Sequence, residues 1–186
     1  WTTDATVLYW IDTTAPGTVA FDGPATTSET STDLTYSATD NIWLNLASGE
    51  FKFHVKVTGI CGEVVGEGEK TWQELITEKG EISLWDDRVT VTATSIATDC
   101  LDAPETSKVS TATATLTVAF GKIDGATVTI TATAVDGVGL ENGTSTDIFV
   151  DNYFYATETH MSASNHSKNS EDFLFTGDST MATFSY

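Results

Sequence analysis

The chain has 186 residues, with 27 acidic and 8 basic side chains, a formal charge of −19 and 40% apolar residues. That charge excludes bulk electrostatic binding to nucleic acid or anionic lipid. The apolar content is enough for a core and excludes wholesale disorder, and no apolar run approaches the roughly 20 residues that a membrane-crossing helix needs.

The chain opens at Trp1 rather than Met, so we expect a removed signal peptide and an extracellular or cell-surface location. Residues 5–11 are the first predicted strand. Val7, Tyr9 and Ile11 fall on one parity and Leu8 and Trp10 on the other, so both faces are apolar. Leaving such side chains in water forgoes roughly 1.5–3 kcal/mol each, and the bare edge invites pairing. The segment therefore belongs in a sandwich: its own, a neighbour's as a donor strand, or that of a longer repeat protein. Asp12-Thr-Thr-Ala-Pro16 follows, and Pro16 breaks the ladder there.

Further strands are predicted at 18–21, 33–38, 51–57, 81–85, 88–96, 110–120, 126–134 and 147–150. Most alternate cleanly. In 110–120, Ala112, Ala114, Leu116, Val118 and Phe120 oppose Thr111, Thr113, Thr115 and Thr117. In 126–134, Ala126, Val128, Ile130, Ala132 and Ala134 oppose four threonines. Such period-2 runs put one face in the core and one in water. The Gly121–Gly125 link is a turn signal and predicts that the two runs pair as a hairpin. Residues 59–79 read as an insertion, with one or two helical turns at 70–78. Residues 157–171 read as a long polar loop, and 172–186 as an aromatic hairpin. The pattern gives an all-β fold, an immunoglobulin-like antiparallel β-sandwich. It divides into an N-terminal strand arm (1–15), the sandwich (16–152) and a C-terminal β extension (153–186).

Tyr9-Trp-Ile-Asp-Thr-Thr-Ala-Pro16 resembles the junction between tandem immunoglobulin-like repeats of bacterial and archaeal surface adhesins. Residues 128–139 and 146–151 are similar to the final hairpin of such a repeat. The resemblance implies a spacer or binding platform, often with Ca²⁺ at the junction, where Asp12 and Asp136 match the motif positions.

Four aspartates, Asp12, Asp40, Asp136 and Asp151, sit at predicted strand ends or turns. Hard oxygen ligands gathered at one pole can hold Ca²⁺; the alternative is turn caps and solubility. Cys61 and Cys100 are expected to form a disulfide worth roughly 3–4 kcal/mol, the alternative being two free thiols. Asn142 and Asn165 begin sequons and are expected glycosylation sites. Trp43, Trp72 and Trp85 lie near loops where they could stack on a sugar. No nucleophile elbow, zinc-protease motif or phosphate loop occurs, so no enzyme activity is expected.

The expected function is a structural subunit of an extracellular pilus- or thread-like filament used in adhesion, a homopolymer assembled by donor-strand complementation. Val7, Leu8, Tyr9, Trp10 and Ile11 would be the donor. Phe51, Phe53, Val55, Val128 and Ile130 would line the acceptor groove. The alternative is a monomeric, calcium-stabilised adhesin module that binds glycans or a host or cell surface.

Overall fold

The computed structural model describes residues 11–17, 19–97, 108–121 and 123–151. In chain order the strands are β1 (Val19–Asp22), β2 (Thr26–Thr27), β3 (Ser31–Asn45), β4 (Lys52–Thr58), β5 (Val64–Thr71), β6 (Glu81–Leu84), β7 (Val89–Ala97), β8 (Lys108–Phe120), β9 (Asp124–Val135) and β10 (Glu141–Asp151). A π-helical turn, Gln73–Thr77, links β5 to β6.

The strands form two five-stranded sheets, ordered β1-β3-β8-β7-β6 and β2-β10-β9-β4-β5. They stack as an immunoglobulin-like β-sandwich. The first strands divide between the sheets: β1 pairs antiparallel with β3, and β2 pairs parallel with β10. Alternation explains the stacking. Leu34, Tyr36, Leu116 and Val118 from one sheet, and Phe53, Val55, Val128, Ile130 and Ile148 from the other, are fully buried between the layers. Burying each such side chain contributes roughly 1.5–3 kcal/mol. The intervening threonines, whose branched side chains suit a pleated wet surface, face outward.

Three expectations need correcting. First, 110–120 and 126–134 do not pair as a hairpin: β8 lies in one sheet and β9 in the other. The alternation is the same whether two strands lie side by side or face each other across a core. The short link crosses between layers, and Phe120 and Ile123 are buried at the crossing. Second, the expected insertion at 59–79 contains the strand β5, paired along β4. Gly66 and Gly68 hide it, because glycine reads as a breaker. Here a Cβ on either residue would come within 3.1 Å of Leu84 on the opposing β6, so glycine is what lets the two sheet edges close on each other. Third, the 33–38 and 147–150 strands are parts of longer ones, the first near the start of β3 and the second near the end of β10. The register of β3 against β8 shifts between Thr39 and Leu44, which marks a bulge. The helical turn at 70–78 shortens to Gln73–Thr77, and the Glu74 carboxylate reaches back to accept from the Thr71 N–H at 2.8 Å. That N–H and the Thr71 hydroxyl hold the Glu74 carboxyl below its ordinary range.

An aromatic cluster fills the middle of the core. Tyr36 packs on Phe53 at 5.1 Å, Phe21 at 5.4 Å and Trp72 at 6.2 Å between ring centroids. The buried Tyr36 hydroxyl has no hydrogen-bond partner, and burial pushes its pKa upward.

The ends of the sandwich are distinct. At one end lie residues 11–17, the β3 bulge and the β9–β10 turn. At the other, Asp151 closes β10 opposite Asp124. The 11 residues of β10 separate these ends by about 36 Å. The described chain thus enters at one end and leaves at the other.

Candidate metal centre

Asp12, Asp40 and Asp136 converge at the entry end. Each offers a carboxylate oxygen, and the three atoms lie within 4.8 Å of one another. Each arrives on a different element. Asp12 precedes Pro16 on the entering segment, Asp40 sits in the β3 bulge, and Asp136 begins the β9–β10 turn. An isolated bridge between Leu44 and Asp136 ties that turn to the bulge. Gly137 continues the turn and donates its N–H to the Trp43 carbonyl at 3.1 Å. A Cβ there would fall 1.6 Å from the Trp43 indole nitrogen, so only glycine lets the indole sit on the turn.

The hydrogen bonds sort the oxygens. Asp12 Oδ1 accepts from the Thr14 N–H at 3.0 Å, and Asp40 Oδ1 from the Ile42 N–H at 2.8 Å. Asp136 Oδ1 accepts from the N–H groups of Val138 and Leu140, at 2.9 and 2.8 Å. In each case the backbone fixes one oxygen. The Oδ2 atoms of Asp40 and Asp136 are buried with no hydrogen-bond partner. Asp136 is 0% exposed and Asp40 8%.

Bare carboxylate oxygens do not belong in a buried site without compensation. Burial, and then the negative charges of Asp12 and Asp136, push the Asp40 carboxyl above its usual range, against the opposing pull of the Ile42 and Trp43 N–H groups. A divalent cation would reverse that cost. The donors are hard oxygens with no His or Cys among them, which suits Ca²⁺ or Mg²⁺ rather than zinc or copper. Oxygens bound to Ca²⁺ at about 2.4 Å lie no more than about 4.8 Å apart, which matches the observed cluster.

Of the four expected metal ligands, Asp151 does not join. It lies at the far end of β10, opposite Asp124. Asn142 has a different role from the expected one. Its side-chain amide donates to the carbonyls of Pro16 at 2.8 Å and Gly17 at 3.2 Å, tying β10 to the entering segment beside the carboxylates. A glycan on that nitrogen would remove a hydrogen that these two bonds use. Asn165 lies outside the described residues, as does Cys100. Cys61 is an exposed free thiol in the β4–β5 turn.

All five expected acceptor residues, Phe51, Phe53, Val55, Val128 and Ile130, come together and are 0% exposed. They are core, covered by the opposing sheet. Of the expected donor, Val7, Leu8, Tyr9 and Trp10 lie outside the described residues, and Ile11 is exposed. Trp72 is buried in the aromatic cluster and cannot stack on a sugar. Trp85 carries the Arg88 guanidinium 5.1 Å over its ring. No helix among the described residues is long and apolar enough to cross a membrane.

No family model matches this chain, and no curated protein matches it.

Proposed function

We propose that this chain is a non-catalytic structural module of an extracellular or cell-surface protein. In this reading Ca²⁺, bound by Asp12, Asp40 and Asp136, fastens the entering chain segment to the sandwich. The supporting observation is the pair of buried, unpartnered carboxylate oxygens on Asp40 and Asp136, two residues whose carboxylates cluster with that of Asp12. Two of the ligands come from the sandwich and the third from the segment that leads into it. Binding therefore adds a second fastening to the one that Asn142 makes with Pro16 and Gly17. A donor-strand filament is the weaker reading, because an inserted strand would have to displace a whole sheet to reach the five acceptor residues.

The test is calorimetric titration of the apo protein with Ca²⁺ and separately with Mg²⁺, followed by thermal unfolding. One Ca²⁺ binds, and Mg²⁺ binds more weakly, because it holds its water and demands a tighter octahedron. At a free concentration one hundred times the Kd, Ca²⁺ adds about 2.7 kcal/mol to stability. Asp136→Asn abolishes the heat of binding. Hydrogen exchange at residues 12–17 slows on Ca²⁺ addition in the native protein and does not in Asp12→Asn. The absence of any Ca²⁺ heat in the folded native protein defeats the reading.

A further inference from the structure

One peptide group at the entry end is held at both poles. The group joining Pro16 to Gly17 donates its N–H to the Thr39 carbonyl on β3 at 2.7 Å. Its carbonyl accepts from the Asn142 side-chain amide on β10 at 2.8 Å, and the same amide donates to the Gly17 carbonyl at 3.2 Å. A side-chain amide nitrogen has two hydrogens, one for each of these carbonyls. The approach to β3 is close, since a Cβ on Gly17 would come 3.3 Å from the Thr39 hydroxyl. Each anchor also stands next to a carboxylate of the cluster. Thr39 immediately precedes Asp40, and Asn142 pairs with Ala134, two residues before Asp136. Asp40 and Asp136 are held within their own turns, through the N–H groups of Ile42, Val138 and Leu140. Asp12 differs from them. Its Oδ1 folds the chain locally onto the Thr14 N–H, and the segment that carries it is joined to both sheets at the Pro16–Gly17 peptide.

We infer that Asn142 is the positioning residue for Asp12 in the cation site and acts through the Pro16–Gly17 peptide. The inference rests on the cation reading above and adds to it the residue that sets the site's affinity from outside the ligand set. A carboxylate already in place loses less freedom on binding than one on an untied chain, so the tie lowers the cost of closing the site. Groups that orient a metal ligand without touching the metal commonly change affinity by about 10–100-fold. The role belongs to the amide and not to the sequon Asn142-Gly-Thr144 that contains it. Asn142 falls on the same parity of β10 as the buried Ile148 and Val150, which places it on the core side of the strand. Thr144 shares that parity and is half-buried, so the hydroxyl that completes the sequon can be removed by an isosteric change that leaves the amide untouched.

Calorimetric titration of the full chain with Ca²⁺, paired with amide NMR of the Ca²⁺-free protein, tests it. Asn142→Ala and the similarly sized Asn142→Leu each bind Ca²⁺ about tenfold more weakly than the native chain. Thr144→Val, which deletes the sequon and keeps the amide, binds as the native chain does. Without Ca²⁺, the amide signal of Thr14 moves in both Asn142 variants. The signals of Ile42, Val138 and Leu140 stay where they are, because they report the turns of Asp40 and Asp136. A merely structural role would lower the melting temperature equally with and without Ca²⁺ and would leave the affinity alone. Native affinity in both Asn142 variants overturns the inference and leaves the cation reading standing. So does a Thr14 signal that does not move, or a Thr144→Val variant that loses as much affinity as Asn142→Ala. A native chain that gives no Ca²⁺ heat defeats the cation reading itself, and this inference with it.

Discussion

The aromatic cluster and the carboxylate cluster both bury oxygens that have no hydrogen-bond partner, yet they differ in what that oxygen is. The Tyr36 hydroxyl is neutral, stands alone and is wrapped by Phe21, Phe53 and Trp72. The Oδ2 atoms of Asp40 and Asp136 belong to ionisable groups, and those two carboxylates cluster with a third, that of Asp12. An orphaned hydroxyl costs about 1–3 kcal/mol, and good packing offsets it. Orphaned carboxylates in mutual contact repel each other, and packing alone offers them nothing. An unpartnered buried oxygen points to a ligand only when it is charged and has company.

Removing the packing around the neutral oxygen should have the largest effect. Trp72→Ala lowers unfolding free energy by about 3–5 kcal/mol. Denaturant melts with and without Ca²⁺ should show the same loss, since Trp72 does not touch the carboxylates. A loss that Ca²⁺ changes would break the separation between the two regions.

Asp40→Asn should act in the opposite direction. Without Ca²⁺ it raises stability, because it removes a charge that burial and the neighbouring Asp12 and Asp136 penalise. The pH dependence follows in sign. Asp40 has its pKa raised on folding, so the native state holds that proton more tightly than the unfolded chain. Its contribution to stability is therefore largest at acid pH. It fades as pH rises from the unfolded carboxylate value through the raised native one. Melts across that window should be less steep in Asp40→Asn than in the native chain, and saturating Ca²⁺ should flatten the native curve too.

Tyr36→Phe should have the smallest effect. It deletes the orphaned hydroxyl while keeping the ring, so stability stays within about 1 kcal/mol or rises slightly, with or without Ca²⁺. A loss beyond 2 kcal/mol would mean that the hydroxyl has a partner, and the contrast drawn above would fail.

The sandwich was legible because alternation survives translation into structure. Every long apolar–threonine run became a strand, and Asp12 and Asp136 were singled out at the turns they occupy. The rest depended on neighbours distant in sequence. Gly66 and Gly68 read as breakers because the Leu84 that requires them is many residues away. The β8–β9 crossing looked like a hairpin because parity does not say which layer a strand joins. Asp151 resembled its three counterparts in local context, and only the length of β10 separates it from them. Phe51, Phe53, Val55, Val128 and Ile130 look alike in sequence whether they line an open groove or a closed core. Asn142 matched a sequon, while its contacts with Pro16 and Gly17 span more than a hundred residues.

One pair of strands near the ends of the described chain also bears on mechanics. β2 and β10 run parallel, so the chain enters both from the same end of the sandwich, and a pull on the entering segment meets β2 at its start while a pull on the exit meets β10 at its finish. Pulling the ends apart therefore slides these strands past each other, so that their bonds must yield together instead of unzipping one by one. The Asn142 tie and the three aspartates stand upstream on the same line of tension. A metal ion there would act as a rivet at the point where the load first enters.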